Sequence, residues 1–173
     1  MRYALETGNG PASEPVQQQA QQPVQQNNPA AAVSQAVYCY DEASVLSENF
    51  EQTINYAVQR LSEACGAEIV VATVDTTGGM SIQDYGAKVF ETYSIGDPEK
   101  RNGFLLLMAI TDDNYYVLTG DGLDTLFPSE KLREYFALYL EPDFAVRQYE
   151  RGASRLINVV YAEIAAMYGV SYS

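Results

Sequence analysis

The sequence predicts an α/β fold in which helices cover both faces of a mixed four-stranded sheet. The stretch Asn102-Gly-Phe-Leu-Leu-Leu-Met-Ala-Ile110 is apolar almost throughout, which is typical of a strand buried on both faces. The polar turn Asp112-Asp113-Asn114 and a second β-prone run, 115–119, follow it, which predicts an antiparallel hairpin at the centre of the sheet. The overall order β-α-β-α-β-β-α-α favours parallel pairing, through right-handed crossovers, for the other strands.

The first half of the domain alternates strands with amphipathic helices. A short β-prone segment, 36–40, is followed by Ser47, whose hydroxyl suits the N-cap of the first helix. Apolar residues then recur at helical spacing until Gly66, a suitable C-cap. The apolar run 68–74 is the second predicted strand, and Ser81 is the expected N-cap of the second helix.

The residues after Gly122 are predicted to form two helices. Ser129 is the expected N-cap of the first, and Pro142 is expected to end it because proline disrupts a helix interior. The last helix is predicted from about Arg147 to Tyr168. We therefore place the folded domain at residues 36–170.

The N-terminal segment, residues 1–35, is predicted to be a disordered linker. Its part from Pro11 to Gln35 is rich in Gln, Pro, Ala and Asn and offers little apolar surface to bury. The first residues lack the apolar stretch of a signal peptide, and no run of about 18 apolar residues occurs in the chain. A tether of this kind suggests that the domain hangs from another domain or from a membrane anchor.

Charge and histidine content restrict the function. The formal net charge is −13, which repels nucleic acid and favours cations or basic partners, although acidic residues also serve solubility alone. The chain contains no histidine. Catalytic triads that depend on histidine and zinc sites that depend on imidazole are therefore excluded within this chain.

The two cysteines are predicted to be free and buried. Cys39 precedes the first predicted helix and Cys65 lies at its far end. A helix of this length separates its ends by roughly 25 Å. That separation is far beyond the reach of a disulfide.

Motifs for nucleotide cofactors and for common nucleophiles are absent. The sequence contains no Gly-x-Ser-x-Gly, no Walker A lysine loop and no Gly-x-Gly-x-x-Gly, and Gly120-x-Gly122 closes a hairpin strand instead of opening a helix. We expect no haem, flavin or nicotinamide cofactor and a monomeric chain. Carboxylates are abundant, so Ca²⁺ or Mg²⁺ is the expected ligand, although the spacing of an EF-hand is missing.

Two acidic clusters are candidates for such a cation site. Asp41, Asp75, Asp112 and Asp113 follow the first three predicted strands, and open sheets bind ligands at the carboxyl ends of their strands. For any single residue, the competing interpretation is turn formation or helix capping.

The alternative cluster lies at the opposite edge, where the third strand starts and the fourth ends. Its members are Asp97, Asn102, Asp121 and Asp124. The sequence does not decide between the two edges.

Several motifs, in this order along the chain, resemble those of the TPM domain family. They are Asp41-x-Ala43-x-x-Leu46-Ser47, Gly66-Ala-Glu-Ile-Val-Val71, Ile95-Gly96, Asn102-Gly103-Phe-Leu-Leu-Leu107, Asp112-Asp113, Thr119-Gly120-x-Gly122-Leu123, Pro142-x-Phe144 and Tyr149-x-x-Gly152. The resemblance covers roughly Tyr38 to Tyr168. It departs from the family at Tyr93, where Trp is usual, and at Asp124, where Glu is typical.

The resemblance implies a Rossmann-like three-layer α/β/α sandwich with an acidic cleft that binds divalent cations. Some members of the family are assigned acid phosphatase activity, and others act as accessory proteins at membranes. Many are secreted and then anchored in a membrane, which agrees with the tether. Because fold transfers better than function, we keep the activity open.

Three functions remain as hypotheses from the sequence. The first is an extracytoplasmic Ca²⁺- or Mg²⁺-binding domain of the bacterial envelope, membrane-anchored in the full-length protein and with membrane or envelope proteins as partners. The second is a metal-dependent phosphatase whose metal is held by Asp41, Asp112 and Asp113. The scarcity of basic residues near these carboxylates argues against the second. The third is a purely structural interaction domain.

Overall fold

A computed structural model of the chain describes residues 36–171. The predicted linker, residues 1–35, lies outside the described residues. The described residues form one four-stranded sheet with the strands in sequential order, β1-β2-β3-β4. No helix in this part of the chain is long and apolar enough to cross a bilayer.

The four strands pair as predicted, with one difference in position. They are β1 (Cys39–Asp41), β2 (Glu68–Val74), β3 (Gly103–Ala109) and β4 (Asn114–Thr119). β1, β2 and β3 are parallel, and β4 is antiparallel to β3. Every residue of β3 is buried, whereas β4 is an edge strand with a half-buried pattern. The hairpin therefore does not form the centre of the sheet, because β2 and β3 occupy the two inner positions.

Five helices accompany the sheet: α1 (Glu48–Cys65), α2 (Ile82–Thr92), α3 (Ser129–Tyr135), α4 (Glu141–Phe144) and α5 (Tyr149–Met167). A short 3₁₀ helix (Asp121–Leu123) follows β4, and a π-helical segment (Phe136–Leu140) joins α3 to α4. The sequence indicated neither of these short segments.

Helices cover both faces of the sheet. α2 lies on one face, where a Cβ added at Gly86 would lie 2.9 Å from the ring of Tyr116. On the opposite face, Phe127 contacts Phe104. The rings of Phe136 and Phe144, from the α3–α4 region, contact Tyr115 on this second face. Because successive residues of a strand point to opposite faces, these contacts define the three-layer sandwich.

The predicted caps of the first two helices are confirmed. Ser47 Oγ accepts a hydrogen bond from Phe50 N at 3.2 Å, and Ser81 Oγ accepts one from Asp84 N at 3.1 Å. Gly66 ends α1 with φ +78°, a left-handed conformation that glycine adopts without steric cost. Local residue types were therefore sufficient to place these helix ends.

Two predicted helix boundaries in the C-terminal region are wrong, and a third differs by two residues. Pro128, not Ser129, occupies the N-cap of α3. Pro142 does not end the helical region, because it lies in the first turn of α4, where its missing N–H needs no helical partner. α5 begins at Tyr149, two residues after the predicted start.

The first strand is also shifted from its predicted position at 36–40. Tyr38 N donates to the side chain of Asn55 at 2.6 Å, so the regular ladder starts at Cys39. Cys39 and Cys65 are both free and buried, as predicted.

Candidate functional site

The carboxyl-terminal edge of the parallel strands brings together several loops and two helix starts. β1, β2 and β3 all end here, and Glu150 of α5 accepts a hydrogen bond from Ser47 N at the start of α1 at 2.6 Å. Helix N-termini carry partial positive charge. This edge therefore combines acidic side chains with the positive ends of α1 and α5.

Asp41 stabilises the loop that leads from β1 to α1. Its Oδ1 accepts hydrogen bonds from Thr73 Oγ1 at 2.5 Å and from Val45 N at 3.1 Å. Its Oδ2 accepts one from Leu46 N at 2.8 Å. Both oxygens are thus engaged by the protein itself, as in the capping interpretation of this residue.

Asp112 connects the β3–β4 turn to the loop after β2. Its carboxylate accepts hydrogen bonds from Thr77 N and from Thr76 Oγ1, each at 2.8 Å. The hydrogen bond from Thr77 N, with the threonine hydroxyls, holds the pKa of Asp112 below its ordinary value. This carboxyl group therefore stays ionised well into the acidic range.

Asp75 and Asp113 lie in adjacent turns, and their side chains are less constrained than those of Asp41 and Asp112. Thr111 N donates to Asp75 O at 2.8 Å, and Asp113 N donates to Ile110 O at 3.2 Å. Both residues are exposed, and across residues 36–171 neither carboxylate accepts a hydrogen bond or forms an ion pair. Their negative charge is therefore available to a ligand.

A polar cleft of about 500 Å³ opens beside Asp113. Its lining residues are Ile110, Thr111, Asp113, Ala145, Arg147 and Tyr149. The Arg147 side chain makes no ion pair or hydrogen bond with any described residue. The cleft is thus lined by an arginine and an aspartate whose side chains have no ion-pair or hydrogen-bond partner among the described residues.

The turn between α4 and α5 positions Arg147. The residue has φ +58°, and its N–H donates to Phe144 O at 2.9 Å. Gln148 N donates to Asp143 O at 2.8 Å in the same turn. Sequence reasoning missed Arg147 because it was assigned to the start of the last helix. In the sequence, the only indication of a functional role for Arg147 was its position between the motifs Pro142-x-Phe144 and Tyr149-x-x-Gly152.

At the opposite edge, Asn102 is a fully buried structural residue. Its Oδ1 accepts a hydrogen bond from Asp97 N at 3.0 Å. Its Nδ2 donates to Tyr168 Oη at 3.1 Å and to Cys65 O at 3.4 Å. The amide therefore links the loop before β3 to the ends of α1 and α5.

The acidic residues around Asn102 have different environments. Asp97 Oδ1 accepts hydrogen bonds from Lys100 N and Glu99 N, which hold its pKa below the ordinary value. Asp121 forms an exposed ion pair with Arg101 at 2.6 Å. Asp124 is exposed at the end of the 3₁₀ helix. The carboxylate of Asp97 thus stabilises a turn, and that of Asp121 forms a surface ion pair.

A closed metal site needs several donor side chains close together. Within residues 36–171, no three Asp, Glu or Cys side chains are grouped so that they could hold a metal ion. A cation at the carboxyl-terminal edge would therefore have an open coordination shell. There, Asp75 and Asp113 would supply two carboxylates, and waters or backbone oxygens would supply the remainder.

The described residues form a mixed α/β sandwich with acidic residues at its strand ends. The TPM domain matches residues 39–163, and the chain belongs to the TPM domain family. Comparison with curated proteins finds no match.

Several solved structures share the fold. The N-terminal domain of a protein from P. gingivalis has a TM-score of 0.69 and 21% identity, over 82% of this chain and 90% of that chain. The BA42 protein from the psychrophilic bacterium Bizionia argentinensis has a TM-score of 0.58 and 18% identity, over 71% and 83%. The N-terminal domain of the cg2496 protein from Corynebacterium glutamicum has a TM-score of 0.56 and 12% identity, over 79% and 83%. At these identities the likeness concerns the fold alone.

Proposed function

We propose that this TPM domain binds a divalent cation, Ca²⁺ or Mg²⁺, at the carboxyl-terminal edge of its sheet. The observation that carries the proposal is the pair Asp75 and Asp113, two exposed carboxylates in adjacent turns without a partner among the described residues. Hard cations prefer oxygen ligands, and Ca²⁺ accepts irregular sets that include water. Asp41 and Asp112 act in this site by holding the surrounding loops in place.

The expected affinity is modest. An open site with two free carboxylates resembles extracellular modules that bind Ca²⁺ with dissociation constants of about 10⁻⁴–10⁻³ M. Such an affinity suits an extracytoplasmic compartment, where calcium is abundant. We accordingly propose an accessory or interaction role at the bacterial cell envelope, with the N-terminal segment as the tether to a membrane.

Calcium titration of the full chain, followed by backbone amide chemical shifts, tests this proposal. Saturable shifts at millimolar calcium or below, confined to residues 75–77 and 110–114, are expected. Asp113→Asn should weaken the response, whereas Asp124→Asn changes the net charge equally and should leave it intact. Diffuse and unsaturable shifts, or equal effects of the two substitutions, would refute the site.

Arg147 favours a second candidate, a metal-dependent phosphatase. Arg147 lines the polar cleft beside Asp113, and its side chain has no partner among residues 36–171. Arginine binds phosphate oxygens through two parallel hydrogen bonds. Arg147 would supply positive charge at this edge of the sheet, where basic residues are otherwise scarce in the sequence. A divalent cation, when bound, would further neutralise a phosphate ester.

A phosphatase assay separates the two candidates. Hydrolysis of a phosphate monoester that requires added cation and is lost in Asp112→Asn would support the enzyme. Cation binding without hydrolysis would support the accessory role alone.

A further inference from the structure

A second cleft, larger than the polar cleft beside Asp113, lies at the edge of the sheet opposite to the proposed cation site. Its volume is about 660 Å³, and it is formed by the end of α2, the loop before β3 and the end of β4. None of its lining residues belongs to the polar cleft that contains Arg147. A ligand in this cleft would therefore be independent of the cation site.

Close contacts between backbone segments hold the cleft in shape. A Cβ added at Gly120 would lie 2.1 Å from Arg101 O, and one added at Gly96 would lie 2.4 Å from Gly103 N. Both distances are too short for a side chain. The loop before β3 and the end of β4 are thus packed directly on one another. The cleft is largely formed before any ligand arrives, which reduces the entropic cost of binding.

The walls and rim of the cleft have complementary chemistry. Phe90, Ile95 and Leu118 provide apolar surface. Three acidic residues, Glu91, Asp97 and Asp121, and a single base, Arg101, accompany them. Arg101 is already paired with Asp121. The lining therefore carries a surplus of negative charge beside apolar walls.

Two further features favour a cation in this cleft. Phe90 and Glu91 lie in the last turn of α2, which has no basic residue to balance the negative end of the helix. The nearby Lys100 is engaged elsewhere, because its Nζ donates to Cys65 O at 2.7 Å and lies 5.9 Å from the centroid of the Tyr168 ring. The negative field of the cleft is thus left for a ligand to neutralise.

We propose that this cleft binds a lysine or arginine side chain from a basic, apolar-flanked segment of a partner protein. The aliphatic stem of such a side chain would cover the apolar walls while its charged end reaches the acidic rim. A compact hydrated metal ion would gain nothing from those walls. The net charge of −13 would attract a basic partner over longer distances.

Peptide binding to the isotope-labelled full chain tests the proposal. The probe is the blocked peptide Gly-Ala-Leu-Lys-Leu-Ala-Gly, and its arginine counterpart is the second probe. Saturable amide shifts confined to residues 90–98 and 118–121 are expected with either probe. Absence of saturable binding by both at millimolar concentration, or shifts centred elsewhere, would overturn the proposal.

Two matched peptides separate charge from apolar contact. A peptide with glutamate in place of lysine should not bind. A peptide with diaminobutyric acid keeps the charge at neutral pH but lacks two methylenes, and it should bind about tenfold more weakly. Equal binding of the glutamate peptide would contradict the electrostatic part of the proposal. Equal binding of the diaminobutyric acid peptide would contradict burial of the stem.

Substitutions in the protein complete the test. Glu91→Gln should weaken binding of the lysine peptide by roughly two- to fivefold, the effect of one exposed carboxylate. Glu134→Gln removes an equally exposed charge on α3 and should have no effect. Identical affinities of both variants and the natural chain would place the peptide outside this cleft.

Discussion

Arg151 Nε lies 2.7 Å from Asp143 Oδ1, and this ion pair joins α4 to α5, the two helices on either side of the turn that carries Arg147. Arg155 Nη1 binds the other carboxylate oxygen of Asp143 at 3.0 Å. Asp143 is 3% exposed, and its charge is compensated by two arginine side chains that are themselves partly exposed to solvent. The position of Arg147 in the polar cleft therefore depends on a charged cluster outside that cleft.

Asp143→Asn should lower the melting temperature by several degrees at neutral pH, because two arginines lose a charged partner. Hydrogen bonds from Arg151 and then Arg155 hold the pKa of Asp143 below its ordinary value. Its stabilisation is therefore complete above the unfolded pKa and is lost as the pH falls through the folded pKa.

Thermal unfolding at several pH values checks this prediction. The difference between the natural chain and Asp143→Asn should be largest above about pH 5 and should narrow below about pH 4. Glu130→Gln, which removes an exposed partner of Arg133, is the control and should change little. A difference that does not vary with pH would show that the ionised carboxylate is not the cause.

Asn102→Ala should destabilise the domain by about 2–4 kcal/mol, because three hydrogen bonds of a buried amide are lost and Asp97 N and Tyr168 Oη lose this partner. Asp121→Asn should cost no more than about 1 kcal/mol, because its ion pair with Arg101 is exposed. Urea unfolding of both variants measures the contrast. Similar losses would contradict the structural role assigned to Asn102.

Asp112→Asn should loosen the loop after β2 without unfolding the domain. An asparagine keeps one acceptor oxygen but loses the charge that strengthens the hydrogen bond from Thr77 N. Hydrogen exchange at the Thr77 amide should become several-fold faster. Exchange in β3, which is buried throughout, should be unchanged. Uniform acceleration across the sheet would instead indicate global destabilisation.

Neither thiol should react with a disulfide reagent in the folded protein at pH 8. Burial, together with the carboxylates of Glu51, Asp41 and Glu150, raises the pKa of Cys39 to about 12. The thiolate fraction at pH 8 is then roughly a thousandfold below that of an ordinary cysteine. Cys65 is buried as well. Both thiols should react after denaturation, and rapid reaction of the folded chain would contradict their burial.

Local residue types were enough to predict most of the fold but not its C-terminal region. The apolar run that becomes β3 and the caps Ser47 and Gly66 each act through contacts close in sequence. The π-helical segment depends on distant partners, since Arg155 Nη2 donates to Leu138 O at 3.0 Å. No local pattern encodes such a contact, so Pro142 was expected to end a helix that in fact continues.

The sequence placed acidic residues at two edges of the sheet but indicated neither which edge binds a ligand nor which carboxylates the protein itself engages. Topology alone brings Asp75, Asp112 and Asp113 to one edge of the sheet. The structure then shows that Asp112 serves the loop, whereas Asp113 lies beside a cleft. Arg147 was missed because its place in the cleft arises from the turn between α4 and α5. Substitution of Arg147 therefore distinguishes the two functions proposed for this edge.

Arg147→Gln provides the decisive comparison for the phosphatase candidate. If the guanidinium binds phosphate oxygens, kcat/KM for para-nitrophenyl phosphate in the presence of calcium or magnesium should fall roughly 10- to 100-fold, the worth of a charged hydrogen bond. Arg133→Gln removes an exposed arginine on α3 and should leave the rate unchanged. Equal rates in all three proteins would remove Arg147 from the reaction. No cation-dependent hydrolysis by the natural chain, combined with saturable calcium shifts near Asp113, would refute the enzyme and retain the accessory cation-binding domain.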